Sequence, residues 1–254
     1  MKKITVALMI GRKGSKGFPG KNTTKVLGRA LAEYPLIAAK KSKSIDRIYV
    51  STDCIKIKKI STDYNAINLK RPNRLSTSKA LGEDVFVDGY NKIKDIIKSE
   101  GKEIELVVLL HANGPLITTK MIDKGIKDLR KNKTIDSAVS TSVYNMWSPI
   151  RARKLTKEGL LKPFVPFKIF GNPKTLNCDR DSQGDVYYAD MGLSIVRPRC
   201  LENIHNGLLP QKWMGKKIIP IKSEAGFDVD YVWQIPSVEY WLKKNGVKPK
   251  KSKN

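Results

Sequence analysis

The chain is poor in the residues that build metal and redox centres. Its 254 residues include only three cysteines and two histidines. Cys54, Cys178 and Cys200 are odd in number, far apart and form no C-x-x-C pair. That argues against a disulfide framework or a zinc site, and for a reducing compartment. His111 and His205 are too few for a His-rich metal site. Acidic residues are scarce as well: 24 Asp and Glu stand against 49 Lys and Arg, a formal net charge of +25. The lysines are scattered rather than gathered into one stripe, so a solvated basic surface is expected and nucleic acid is not the expected partner. No RNA-binding aromatic motif accompanies them. Long apolar runs are missing too. "ITVALMI" (Ile4 to Ile10) falls far short of the ~20 residues that span a bilayer. "GRKGSKG" follows it where a signal peptide would carry small residues and a cleavage site. A soluble, cytoplasmic protein without membrane insertion is the expectation. Neither a G-x-S-x-G elbow nor a Cys–His pairing signal supports nucleophilic catalysis.

What is present alternates between strand and helix. Ile4–Ile10 reads as a strand covered on both faces. A short helix is expected over 31–41, with Pro35 tolerable only in its first turn. "RIYVSTD" (47–53) reads as a strand, 55–64 as a helix and 66–69 as a short strand. A longer helix over 83–98 carries Gly89 as a flaw. "ELVVLL" (105–110) is a core strand ending in "HANGP"; a helix over 121–131 and a strand over 137–143 follow. This alternation predicts a mostly parallel sheet with helices on both faces. Ligands on such sheets bind beyond the carboxyl ends of the strands. The alternation lapses over 144–183, an excursion rich in Pro, Arg, Lys and aromatics. Strand character returns at 185–198 and 216–221. "FDVDYVWQIPSVEYWLKK" then reads as a strand end and a final helix that Pro236 could kink. One domain over 1–245 is expected, followed by a basic, frayed tail over 246–254.

"GRKGSKGFPGKN" (Gly11 to Asn22) opens where the first strand ends. Its four glycines stand every third residue, with Arg12, Lys13, Lys16 and Lys21 between them. Glycine lets a backbone turn tightly and expose N–H groups, which together make an anion-binding concavity. With mobile cations added, the loop suits a triphosphate, whose charge grows on the leaving group during transfer. Neither Walker A nor the dinucleotide fingerprint fits the spacing. An exposed basic turn is the plainer alternative.

The residues "R-x-G-S-K-G-x-P-G-K-N" (Arg12 to Asn22) resemble the signature loop of the CMP-sialic acid synthetases, the acylneuraminate cytidylyltransferases. "LG" at 27–28, "IDRIYVSTD", "RP-x-x-L" at 71–75 and "FDVD" at 227–230 agree with that family in order and spacing. The resemblance covers most of the chain. It implies a three-layer α/β/α nucleotide-diphospho-sugar transferase-like fold with a mostly parallel central sheet. It also implies attack of the anomeric hydroxyl of a nonulosonic acid on the α-phosphate of CTP, with Mg²⁺, giving a CMP-sugar and pyrophosphate. On that analogy Arg12, Ser15, Lys16 and Lys21 hold the triphosphate, with Lys21 and Arg12 catalytic. Asn22, Arg71 and the backbone near Ala80 hold cytidine. Asp228 and Asp230 bind Mg²⁺, or Asp230 takes part in deprotonating the sugar hydroxyl. Two carboxylates one residue apart suit a hard cation that also bridges phosphate oxygens; the plainer alternative is an N-cap on the last helix. Asp53 is open between a cap and a role near nucleotide or metal.

The sequence departs from that family where the acceptor is expected. "LHANGPLI" stands where the family has "LQPTSPLR", so His111 replaces a glutamine and Ile117 an arginine. Gly82 stands where a small hydroxyl residue is usual, and Asp190-Met191-Gly192 where Asn-Gly is typical. Nucleotide transfer remains the expectation, and the acceptor is open to a related acid of legionaminic or pseudaminic type. His111 and Asn113 are candidates to touch the sugar; for His111 a satisfied structural histidine at the strand end is the plainer alternative. Arg151, Arg153 and Arg180 are candidates for its carboxylate; surface roles are their alternative. The excursion resembles the family's dimerisation element, which implies a homodimer. Two other readings stay open: transfer to another sugar or from another nucleotide, and a non-catalytic basic protein that binds polyanions.

Overall fold

Strand β1 (Lys2–Gly11) runs through the middle of the molecule because its residues are apolar on both faces. Ala7 and Met9 turn to one side of the sheet, Val6 and Leu8 to the other, and all four are inaccessible to solvent. The computed structural model describes residues 1–250 except 16, 145–147, 178, 180–183, 225 and 227. A small hairpin, β2 (Lys25–Val26) and β3 (Arg29–Ala30), follows the glycine loop. The chain then alternates through α1 (Glu33–Lys41), β4 (Arg47–Thr52), α2 (Ile55–Asp63) and β5 (Ile67–Lys70). It continues with α3 (Gly82–Ser99), β6 (Lys102–His111), α4 (Thr119–Lys131) and β7 (Ser137–Val143). The excursion carries a second small hairpin, β8 (Arg153–Leu155) and β9 (Leu161–Pro163). Strand β10 (Tyr187–Val196), the one-turn helix α5 (Pro198–Glu202), β11 (Ile218–Ser223) and α6 (Ile235–Lys244) complete the order.

The central sheet has seven strands in the order β11-β7-β10-β6-β1-β4-β5. Every neighbouring pair is parallel except those of β10, which runs antiparallel to both β6 and β7. The expected mostly parallel, three-layer α/β/α architecture is therefore present. Helices α1, α2 and α4 cover one face through Leu36, Ile57, Ile122 and Ile126. Helix α3 covers the other through Phe86, Tyr90, Ile93 and Ile97, with α5 beside it through Cys200 and Leu201.

Four expectations are corrected. Gly89 is no flaw in α3: a Cβ there would lie 2.7 Å from Leu8 Cδ2, so glycine lets the helix sit directly on β1. Pro236 does not kink α6, because it occupies the helix's first turn, where a missing N–H costs nothing. Asp228–Asp230 form irregular backbone rather than a strand end. The basic tail is also laid down through Lys250. Lys250 N–H donates to the Leu27 carbonyl at 2.9 Å, and Arg29 Nη1 to the Lys248 carbonyl at 2.8 Å. The Lys250 ammonium reaches the Glu33 carboxylate at 3.1 Å. The β2–β3 turn leaves the Leu27 carbonyl to be met, and the start of α1 a mostly buried Glu33 carboxylate, which composition alone does not reveal.

Candidate functional site

The carboxyl ends of β1, β4 and β6 open on one side of the sheet, where α/β ligands bind. Gly11 ends β1 against Ala112: a Cβ would meet the Ala112 Cβ at 2.6 Å. The loop that follows is pinned at two points. Lys13 N–H donates to Asp53 Oδ1 at 2.8 Å, and Asn22 Nδ2 donates to the Arg12 carbonyl at 3.1 Å. Asp53 therefore braces the loop; the N-cap of α2 is Cys54, which makes no side-chain cap bond. Of the four loop glycines only Gly20 adopts a positive φ, 74°, and it turns the chain into the short 3₁₀ turn Lys21–Thr23. The others leave room or backbone access rather than a left-handed turn.

Opposite the loop lies the acidic segment. Val229 N–H donates to the Asn113 carbonyl at 2.8 Å. Asn113 Nδ2 returns two bonds of 3.0 Å, to Asp228 Oδ2 and to the Val229 carbonyl. Asp230 faces the loop and pairs with the Lys21 ammonium, the lysine side chain being 14% exposed and the aspartate 52%. Gln234 Oε1 accepts from both Asp230 N–H (2.7 Å) and Tyr231 N–H (2.8 Å), which fixes that backbone.

Between loop and acidic segment is an open cleft of about 480 Å³. Arg12, Ser15 and Lys21 line it from the loop, Ser78 and Lys79 from the stretch before α3, and Asp230 and Tyr231 from the far wall. Such a lining can hold a polyanion through Lys and Arg and a divalent cation through carboxylate. Asp230 lines this cleft and Asp228 does not; together they offer two carboxylates, and no cluster of three or more His, Cys, Asp or Glu that could hold a metal occurs among the described residues. That donor set fits Mg²⁺, which is bound through one or two carboxylates plus phosphate oxygens and water rather than by an all-protein cage. Neither aspartate is the N-cap of α6, which is Gln234.

The remaining sequence candidates divide. His111 ends β6 beside this cleft; its ring meets Phe86 edge-on at 5.3 Å. Burial pushes the imidazole below its ordinary pKa, while Asp228 pulls the other way, so it stands neutral near pH 7. Arg71 sits half-buried, and its Nε and Nη2 both donate to the Leu75 carbonyl, closing the 71–75 turn. Ala80 is partly exposed just after Lys79. Asn113 positions the acidic segment, as above. Arg151 and Arg153 line a different cleft, of about 270 Å³, within the excursion. There Arg153 Nη1 donates to the Ile150 and Ala152 carbonyls, and its guanidinium lies over Phe167 at 5.3 Å. Lys16 and Arg180 lie outside the described residues. Sequence reading missed Ser78, Lys79, Tyr231 and Gln234. Lys79 stood next to a chosen residue, and Tyr231 follows the D-x-D directly, so adjacency was the available signal.

A family model described as "Cytidylyltransferase" matches residues 6–161. The chain is 28% identical over 193 residues to the CMP-N,N'-diacetyllegionaminic acid synthase of Legionella pneumophila, covering 72% of this chain and 77% of that protein. It is 26% identical over 137 residues to a 3-deoxy-manno-octulosonate cytidylyltransferase of Chlamydia trachomatis, covering 54% of this chain and 50% of that one. The chain thus spans about half the length of several curated relatives, and more of the Legionella protein. The fold matches that of a CMP:2-keto-3-deoxy-manno-octonic acid synthetase complexed with CTP, with a TM-score of 0.66 at 14% identity, covering 96% of this chain and 100% of that one.

Proposed function

The chain belongs to the cytidylyltransferase family, and from that premise we propose that it moves a cytidylyl group from CTP to a sialic-acid-like nonulosonic sugar. The observation that carries this reading is the pairing of a cationic loop with an acidic segment across one cleft: Arg12, Ser15 and Lys21 on one wall, Asp230 on the other. In the reaction the acceptor's anomeric oxygen forms a bond to the α-phosphorus. The bond from that phosphorus to the bridging oxygen breaks, and pyrophosphate leaves with the electron pair. Arg12 and Lys21 offset charge on the phosphoryl oxygens. The backbone N–H groups of the braced loop hold the triphosphate in line. Asp230, released from Lys21 once phosphate takes that ammonium, lies in the same cleft as the reacting hydroxyl and receives its proton. Asp228 would hold Mg²⁺, with Asp230 as a second ligand where it is not the proton acceptor, and the ion would supply charge neutralisation at the phosphates.

The acceptor we propose is a nonulosonic acid other than N-acetylneuraminate, because His111 and Ile117 replace the residues that resemblance would place there. Similarity over 193 residues to the legionaminic enzyme supports that class. The Chlamydia relative supports an eight-carbon acid as the second reading. The excursion, with exposed Leu155, Leu161, Phe164 and Ile169, is proposed to be covered by a second copy of the chain.

The test is pyrophosphate release from CTP and Mg²⁺ with a panel of legionaminic, pseudaminic, N-acetylneuraminic and 3-deoxy-manno-octulosonic acids. Release with CTP and legionaminic or pseudaminic acid is expected, and release with N-acetylneuraminic acid alone would overturn the choice of acceptor. Release only with the octulosonic acid selects the second reading. No release with any acid, together with steeply salt-dependent polyanion binding, would leave a basic binding protein instead.

A further inference from the structure

Asp190 is 6% exposed on β10, and every donor the described residues give it is neutral. Ser140 Oγ and Gly192 N–H donate to its Oδ1, the latter at 3.2 Å, and Ser142 Oγ donates to its Oδ2 at 2.9 Å. Ser140 and Ser142 lie one residue apart on β7, facing the same side and fully buried. A carboxylate without a cation is costly to bury, and burial raises the Asp190 pKa. The backbone around it is unusual too. The β10 ladder shifts register between Ala189 and Ser194, and Met191 takes a φ of 61°. A bulge of this kind re-aims a side chain, and a left-handed methionine is uncommon enough to need a reason.

The reason lies in what the cluster touches. Ser142 Oγ, while donating to Asp190, accepts from Gly226 N–H at 3.1 Å. Gly226 lies flat against the carboxylate: a Cβ built on it would fall on the Asp190 oxygens. Two residues further on is Asp228, which Asn113 holds from the other side. The acidic segment therefore has two anchors, Asn113 at the end of β6 and the Asp190–Ser142 pair between β7 and β10. Asp190 itself is absent from the lining of the cleft.

We infer that Asp190 is a positioning residue: through Ser142 and Gly226 it sets where Asp228 and Asp230 stand relative to Lys21. This rests on the reading of the cleft as a cytidylyl-transfer site. Displacing a catalytic group by about 1 Å can cost on the order of 100-fold in rate. The loop is pinned by Asp53 and Asn22, outside this cluster, so the loss should fall chiefly on kcat rather than on the KM for CTP.

Four proteins test it: wild type, Gly226→Ala, Asp190→Ala and the double variant. Gly226→Ala should lower kcat on the order of 100-fold with KM for CTP nearly unchanged. In the Asp190→Ala background the same substitution meets no carboxylate and should cost less than about threefold, a strong coupling between neighbours. An equal cost in both backgrounds overturns the inference, as does a kcat that falls only in step with the folded fraction. Ser142→Ala serves if Asp190→Ala fails to fold, since it removes the link and keeps the carboxylate. Amide hydrogen exchange, read without substrate, separates this from failure of the functional reading. Exchange in the peptide carrying Asp228 and Asp230 should rise in Ser142→Ala while that of the 11–22 loop stays constant. Unchanged exchange there overturns the positioning role even in an active enzyme. A wild type inactive with every acceptor would overturn the functional reading alone.

Discussion

Lys21 concentrates the chemistry at the residue scale. Its side chain is mostly shielded, its ammonium is paired with Asp230, and it lines the cleft with Arg12. Two effects of Lys21→Ala can be weighed. The ion pair has a partner that is half exposed, so its loss should change stability by no more than ~1 kcal/mol. Loss of a preorganised charge at the transferring phosphoryl group costs on the order of 100- to 1000-fold in kcat. The variant is therefore expected to keep its thermal midpoint within a few degrees and lose nearly all turnover, measured as pyrophosphate release beside a melting curve. Turnover within threefold of wild type would remove Lys21 from the mechanism. Lys21 was readable from its place in a glycine-spaced cationic loop. Asn113 was not readable in its observed role, because its amide meets Asp228 at a separation of 115 residues and no local pattern encodes that meeting.

At the scale of elements, the strands and helices that frame the cleft follow from local apolar periodicity. Helix α3 and strands β1, β4 and β6 fall within a few residues of their expected bounds. What escaped were contacts between elements. Gly89 reads as a weakness by helix propensity, yet it is where α3 touches β1. Gly89→Ala sets two terms against each other: about 1 kcal/mol gained in helix propensity and about 1–3 kcal/mol lost by overpacking. Leu8 is fully buried in the central strand and cannot swing aside, so overpacking should win. Denaturant unfolding should show a lower midpoint with an unchanged slope. A stabilised Gly89→Ala would mean that the helix relaxes away from the sheet at little cost. The antiparallel β10 was likewise invisible to periodicity, which reports burial but not direction.

At the scale of the whole molecule, the large positive charge and the protruding hairpin remain outside the core sheet. Leu155, Leu160, Leu161, Phe164 and Ile169 are each 60–71% exposed on the excursion. A cluster of that kind on one element marks an interaction surface, and a second copy is the occupant proposed for it. Sedimentation equilibrium should give twice the monomer mass. Leu161→Asp with Phe164→Asp should give a monomer that still unfolds cooperatively. A monomeric wild type would contradict the proposal.

The proposed chemistry depends on where the nucleotide lies, and a crystal structure of the protein soaked with CTP tests that most directly. The triphosphate is expected against Arg12, Ser15 and Lys21, with Lys21 turned from Asp230 to phosphate and both aspartates facing the same phosphates. CTP bound elsewhere, for instance in the cleft of about 400 Å³ lined by Arg29, Tyr34 and Trp241, would contradict it.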